Sequence, residues 1–462
     1  MKVKTISRSS DTYVPVRNTQ ESPLPRNLNP ALHPFERARE YTRALNATKL
    51  ERMFAKPFMG QLGDGHRDGV YQICRNPNST GFIASGSGDG VIKYWNLTSR
   101  SESASFKAHY GMCSGLAITP VNQLLSCGED KTVKLWSVSS DEFTGAGDDE
   151  VYNAAGAGLL KTYVSDHAFS GVSHHRIEPM FVTGGAVIQL WDINRSKHVS
   201  DLSWGADNVT GVKFNQTETN IIASTGSDNS IVLYDTRTNT AIQKCVTNFR
   251  NNCISWNPLE AFNFVTGNED HNAYLWDMRN LRKSLNIYKD HVAAITDVDF
   301  SPTGEELVTA SYDKTIRIYN ARAGHSRDIY HTKRMQRVFQ TKFSSDARYI
   351  LSGSDDTNIR IWRANASDRA GIKSAKQRNK LEYDDKLKQR FQHMPQIKRI
   401  ARHRHVPKVV KKAQEIKRIE LDSIKRRTEN ERRHSKPGSK PFVSEREKHV
   451  RGTVNDSDKS NK

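Results

Sequence analysis

The 462-residue chain lacks most of the features that announce a chemistry. Its five cysteines (Cys74, Cys113, Cys127, Cys245 and Cys253) have no close-pair spacing. That spacing argues against a disulfide framework or a zinc site, and small buried thiols in a reducing compartment are expected. No apolar run reaches the ~18 residues a membrane span needs. The opening Met1-Lys2-Val3-Lys4 carries no apolar stretch of a secretory leader. A soluble, intracellular protein without a membrane partner is expected. There is no phosphate-cradling loop of Walker type, since Gly86-Ser87-Gly88-Asp89-Gly90 belongs to a repeat described below. His174-His175 is the one paired imidazole of the central region. It has no carboxylate or thiol at metal-ligand spacing and reads as a surface turn. The expectation is a protein that is not an enzyme, with no catalytic residue, metal, cofactor or small-molecule substrate.

What the chain does have is a repeat. An aromatic residue closes a strand-like run at Trp95, Trp136, Trp191, Tyr234, Trp276, Tyr319 and Trp362, at steps of 41, 55, 43, 42, 43 and 43 residues. Six residues earlier stand Asp89, Asp130, Asp228, Asp270, Asp313 and Asp356, with Gly185 breaking the rule in the third unit. Between these anchors side chains alternate, as in Lys131-Thr132-Val133-Lys134-Leu135-Trp136, which places one face of a period-two strand in a core. Small-residue–His pairs lie upstream at Gly65-His66, Ala108-His109 and Asp290-His291. Seven such units in register predict an all-β fold, a seven-bladed WD40 β-propeller over residues 61–363. One four-stranded blade cannot bury both faces alone, so blades stack around a channel. The six Asp residues read as structural, each sitting in a tight turn and accepting hydrogen bonds from turn backbone and an upstream His. On that reading, Gly185→Asp should do little harm. The long step holds an insertion of about Ser140 to Gly158 with an acidic, unpatterned composition, expected to form a loop on one rim.

The charge is uneven. The chain carries a formal +19, yet residues 61–362 hold 29 Lys and Arg against 33 Asp and Glu. Residues 1–60 hold 11 against 5, and residues 363–462 hold 30 against 13, so the basic excess lies outside the propeller. Affinity for a polyanion is therefore expected in the ends. In the N-terminal extension (1–60), Pro15, Pro23, Pro25 and Pro30 mark extended chain. A helix is predicted over about 36–54, with Tyr41, Leu45, Leu50, Met53 and Phe54 largely on one face, docking most simply on the propeller. The C-terminal extension (364–462) is expected to be largely helical, with stretches near 367–393 and 407–434, the second begun at Pro407 and stopped by Pro437-Gly438. Too few apolar residues separate its charges for an independent core. The cations expected to meet RNA or a partner are Lys398, Arg399, Arg402, Arg404, Lys411, Lys412, Arg426 and Arg427. Lacking an aromatic platform for bases, such contacts should be mainly to phosphates.

Several segments read whole carry a resemblance: Asn27-Leu28-Asn29-Pro30-Ala31-Leu32-His33-Pro34-Phe35-Glu36, the run from Arg43 to Phe58, Tyr330-His331-Thr332-Lys333-Arg334-Met335-Gln336, and Ile397 through Pro407. Together they resemble the "suppressor of fibrillarin" WD-repeat family, over essentially the full chain. The resemblance implies a non-catalytic scaffold in the nucleus and nucleolus. Its implied setting is the small-subunit processome with the U-three small nucleolar ribonucleoprotein, where it would serve ribosomal RNA processing and small-subunit biogenesis. Implied partners are pre-ribosomal RNA and processome proteins. Animal members are also described as substrate receptors of cullin-RING ubiquitin ligases, through a Trp-Asp-x-Arg motif. Trp276-Asp277-Met278-Arg279 matches that motif, and Tyr234-Asp235-Thr236-Arg237 nearly does.

Overall fold

The structure is a computed structural model that describes residue 31 and residues 35–137, 158–205, 208–368, 371, 374–436 and 438–455. The proline-rich start and most of the acidic insertion lie outside the described residues. The chain divides into two compact units, Phe58–Ala364 with His405 onward, and the N-terminal segment with Asn365–Arg404.

The first unit is built on seven antiparallel sheets of four strands, one of which gains a fifth. Within each blade the strands are lettered a to d outward from the channel. The channel is lined by the a strands, through residues such as Gln72, Gly115, Val172, Gly211, Cys253, Asp297 and Gln340. Antiparallel order puts the b–c turns and d–a connections on one rim and the a–b and c–d turns on the other. Every repeat aromatic falls in a c strand, and Trp95, Trp136, Trp276 and Tyr319 are fully buried. The alternation read from the sequence therefore becomes packing between and within blades. Phe106 of the first blade lies 4.5 Å from Trp136 of the second, Tyr163 of the second meets Trp191 of the third, and Phe181 stacks on Trp191 within the third.

The ring is closed by a strand the repeat did not reveal. Phe58–Gln61 pairs antiparallel with the c strand of the seventh blade, Phe58 opposite Trp362 and Gln61 opposite Arg360, and supplies that blade's fourth strand. Leu62 follows it, fully buried against Ile73, Ile83, Trp95 and Leu351.

The third blade corrects the reading of Gly185. Its indole Trp191 donates to Thr183 Oγ1 across eight residues, whereas Trp95, Trp136, Trp276 and Trp362 donate to Ser or Thr hydroxyls across ten. The b–c turn is two residues shorter there, so the Asp position is deleted rather than substituted. A Cβ at Gly185 would lie 2.7 Å from the Ala168 carbonyl oxygen, closer than van der Waals contact permits. Gly185→Asp is thus expected to be disruptive, contrary to the reading from spacing alone.

Among its described residues the second unit contains three α-helices: α1 (Glu36–Met53), α2 (Ala375–Arg390) and α3 (Pro395–Arg402). Ser374 and Gln377 form a reciprocal capping box at the start of α2, and Pro395 suits the first turn of α3. Ala44, Leu387 and Ile397 make a small core flanked by Tyr41, Leu45 and Phe391. Arg390 pairs with Glu40 at 2.7 Å and Lys388 with Glu51 at 2.8 Å. The apolar residues expected to be too sparse for a core do form one, because the two ends of the chain pool them. Of the face predicted for α1, Tyr41 and Leu45 pack with the C-terminal extension, whereas Leu50, Met53 and Phe54 stay exposed.

Candidate nucleic-acid interface

The repeat's polar residues find partners according to blade. In the second blade Trp136 donates to Ser126, whose hydroxyl lies 2.8 Å from His109 Nε2, and His109 Nδ1 donates to Asp130 at 3.0 Å. In the sixth, His291 donates to Asp313 at 2.9 Å and Thr315 donates from both its backbone and its hydroxyl. Burial works against both carboxylates, but these donors outweigh it. They hold Asp130 at about 2 and Asp313 well below the usual carboxylate range. Elsewhere the upstream His is replaced. Asp228 takes Lys244 at 2.9 Å, Asp270 takes the Tyr274 hydroxyl, and Asp356 takes Arg360. In the first blade His66 faces Ser85 at 2.6 Å, while Asp89 accepts from the backbone of Val91.

His174 ends an a strand and His175 opens the turn that follows, a turn otherwise exposed at Arg176, Ile177 and Glu178. His175 is buried, and its Nδ1 accepts from the backbone of Ile177 and Glu178, bracing an a–b turn. Among the described residues no His, Cys, Asp or Glu cluster is arranged to hold a metal. The ion pairs at the channel tie blades together, with Lys342 reaching Asp297 at 3.0 Å and Arg75 reaching Asp299 at 3.4 Å. Burial pushes the Cys127 and Cys245 thiols up to about 12, which keeps them protonated and inert.

Burial also lowers His66, His174 and His449 to about 4. Each imidazole is neutral when folded and takes a proton on unfolding below its ordinary value near 6.5. Their contribution is present above about pH 6.5 and is lost as pH falls from there through about 4. Chemical denaturation midpoints are expected to be level from pH 8 to 7 and to drop steeply between pH 6 and 4. A flat profile across that window would contradict the neutral, buried assignment.

The cations singled out from sequence divide between the two units. Lys398, Arg399 and Arg402 lie on α3 and are exposed. Arg404 is partly buried, and its guanidinium donates to the carbonyls of Ala401 and His403, where a cation complements a helix C-terminus. Lys411, Lys412, Arg426 and Arg427 are exposed on α4 (Lys408–Arg433), which belongs to the propeller unit. That helix is fixed to the b–c rim by Gln414, which donates to the Asp290 carbonyl at 2.8 Å, and by Lys417, which donates to the His291 carbonyl at 3.0 Å.

Beyond α4 the chain does something composition did not announce. Glu445 pairs with Lys289, the Arg446 carbonyl accepts from Ser284, and His449 stacks on Tyr274 at 3.8 Å. Val450–Asn455 then pairs with Thr240–Thr247 as the fourth blade's fifth strand, a β-segment in a tail expected to be largely helical. The Trp-Asp-x-Arg match sits on the opposite rim. Arg279 chelates Asp277 with bonds of 3.0 and 2.8 Å, lies 4.4 Å over the Phe262 ring, and leaves 63% of its side chain exposed.

A Sof1-like domain model matches residues 364–450. A WD domain (G-beta repeat) model matches 59–96, 100–137, 196–235, 282–320 and 324–363, which leaves out the a, b and c strands of the shortened third blade and of the fifth. The chain is 63% identical to "Protein SOF1" of Saccharomyces cerevisiae, over 98% of this chain and 95% of that one. It is 52% identical to "Protein sof1" of Schizosaccharomyces pombe, over 98% and 99%. It is 46% identical to "DDB1- and CUL4-associated factor 13" of Xenopus laevis, over 98% and 100%.

Proposed function

The chain belongs to the Sof1 family of WD-repeat proteins, and from that premise we propose that it is a non-catalytic scaffold of ribosome biogenesis. Its place is the nucleolar small-subunit processome, alongside the U-three small nucleolar ribonucleoprotein, where it supports processing of ribosomal RNA. The observation that carries this reading is the 63% identity that runs through both extensions as well as the propeller. Propellers are reused for many purposes, so a match confined to blades would carry only the fold. The rims hold protein partners. The basic helices meet pre-ribosomal RNA, chiefly through phosphates.

Exposure decides which cations to test. Lys398, Arg399 and Arg402 are exposed, whereas Arg404 is spent on α3 carbonyls. Each phosphate contact on a single strand contributes roughly −0.7 to the slope of log affinity against log salt. Replacing those three with Ala in the full chain is expected to flatten the slope by about two units. Arg404→Ala should instead fray α3 and change the slope little. An unchanged slope in the triple variant, with pre-ribosome association retained, would make this stretch an import signal or a protein contact.

A second reading, substrate receptor of a cullin-RING ligase, is favoured by the names of the animal relatives and by the exposure of Arg279. Arg279→Ala leaves Asp277 in its turn and should not disturb the fold. Under the scaffold reading the variant matures small-subunit ribosomal RNA at the wild-type rate. Loss of a co-purifying cullin complex, with pre-ribosome association intact, would favour the second reading.

A further inference from the structure

The propeller's near-neutral balance conceals a local concentration of positive charge. The d–a connection between the sixth and seventh blades reads His331-Thr332-Lys333-Arg334-Met335-Gln336-Arg337, with no acidic residue. Met335 is 2% exposed and anchors the loop, while Lys333, Arg334 and Arg337 stay exposed. The neighbouring b–c turn presents Lys314, which donates to Gln336 at 2.6 Å, and Tyr312, 42% exposed, with the Arg337 guanidinium 5.6 Å from its ring centre. Phe339, stacked on Tyr71 at 4.5 Å, meets Tyr312 edge to face and holds it in place.

The acidic groups nearby are occupied or lie at the patch's border. Asp313 is bound to His291, and Asp290 accepts from His325 and Ser326. Asp68 flanks Tyr71 on the first-blade side, and the exposed Asp355, in the seventh blade's b–c turn, borders the patch directly, its backbone N–H donating to the Arg337 carbonyl at 2.9 Å. On the other side the basic surface continues. His405 stacks on His331, and α4 runs from there to Asp290 and His291, carrying the exposed Lys411 and Lys412.

We propose that this rim of the sixth and seventh blades is a binding site for single-stranded RNA. Tyr312 is the platform for one base, and Lys314, Lys333, Arg334 and Arg337 meet the phosphates. An exposed ring beside a guanidinium suits an unpaired base, whose faces are free, and not a duplex, whose faces are covered. The inference rests on the reading that the chain works on pre-ribosomal RNA, and it adds the base-stacking surface that the tails lack.

The test measures affinity, salt slope and photo-crosslinking of the full chain with a thiouridine-containing oligouridine of about 12 nucleotides. Tyr312→Ala is expected to weaken binding by about fivefold or more with an unchanged salt slope, because stacking releases few counterions. Tyr312→Phe keeps the ring and should retain affinity. Replacing Lys333, Arg334 and Arg337 with Ala should flatten the slope by about two units. Crosslinks should fall on the peptides bearing Tyr312 and residues 331–337. Lys333, Arg334 and Arg337 are exposed, so the melting curve of that variant should coincide with the wild type. Tyr312→Ala, which gives up the edge contact with Phe339, is measured at a temperature where its own melt shows it folded.

If the rim variants bind like the wild type while the α3 triple variant does not, the rim site is refuted and the RNA reading stands. If neither set changes binding, both fall. If the rim variants keep RNA but shed an acidic protein that co-purifies with the wild type, the patch is a protein contact and the proposal is overturned.

Discussion

Asp313→Ala is expected to destabilise the propeller by about 3 kcal/mol, the upper end of the range for stranding buried hydrogen-bond donors, since burial keeps His291 a neutral donor to the carboxylate. The Asp313 side chain is 3% exposed and that of His291 is fully buried. The carboxylate accepts from His291, from Thr315 twice and from the backbone of Val292 at 3.4 Å. Alanine leaves all of these donors without water to replace it. The comparison is Asp228→Ala, where the carboxylate is 20% exposed and its partner Lys244 also donates to the Trp204 and Gly205 carbonyls, so it keeps acceptors when the carboxylate is lost. That change should cost about 1 kcal/mol. Gly185→Asp should behave more like the first than the second, because its cost is steric and the blocking atom is backbone. Denaturant midpoints with unchanged slopes would measure all three. Equal midpoints for Asp313→Ala and the wild type would remove the turn network from the account of stability.

The second large effect concerns ring closure. A chain beginning at Phe58 keeps the strand that completes the seventh blade, whereas one beginning at Gly63 does not. Removing Phe58–Gln61 exposes the edge at Ile359–Arg363, including the ring of Trp362, which Phe58 covers at 5.4 Å. Removing Leu62 takes a fully buried side chain from the contact between the seventh and first blades. Leu62 burial alone stabilises by about 2–3 kcal/mol. An open strand edge also invites pairing with other chains. The chain from Phe58 is expected to yield a soluble propeller, and the chain from Gly63 to lose at least about 3 kcal/mol and aggregate. Equal melting of the two would show that closure does not depend on this strand.

The propeller was legible because each repeat leaves a large local mark: an aromatic in a c strand, with its alternating neighbours. Features that depend on distant partners were not. Phe58–Gln61 is four residues with no alternation to speak of, and it is a strand only because Ile359–Arg363 waits about 300 residues away. Val450–Asn455 lies in a basic tail and gains its conformation from Thr240–Thr247. The three-helix core was missed for the same reason, since neither extension has enough apolar surface until both are counted. In the third blade, counting back from Trp191 landed on Gly185 because the turn had lost two residues, which spacing to the hydroxyl of Thr183 reveals. The basic residues of the tails were legible as charge. Which of them face solvent was not, and Arg404 shows the difference.

The central claim, a scaffold for maturing the small ribosomal subunit, is most directly tested by removing the protein. After rapid depletion in cells, precursor and mature ribosomal RNAs are measured by pulse labelling. The expected result is a collapse in new small-subunit ribosomal RNA, with early precursors accumulating, while large-subunit ribosomal RNA continues to be made. Undiminished synthesis of both, or an equal fall in both, would contradict it.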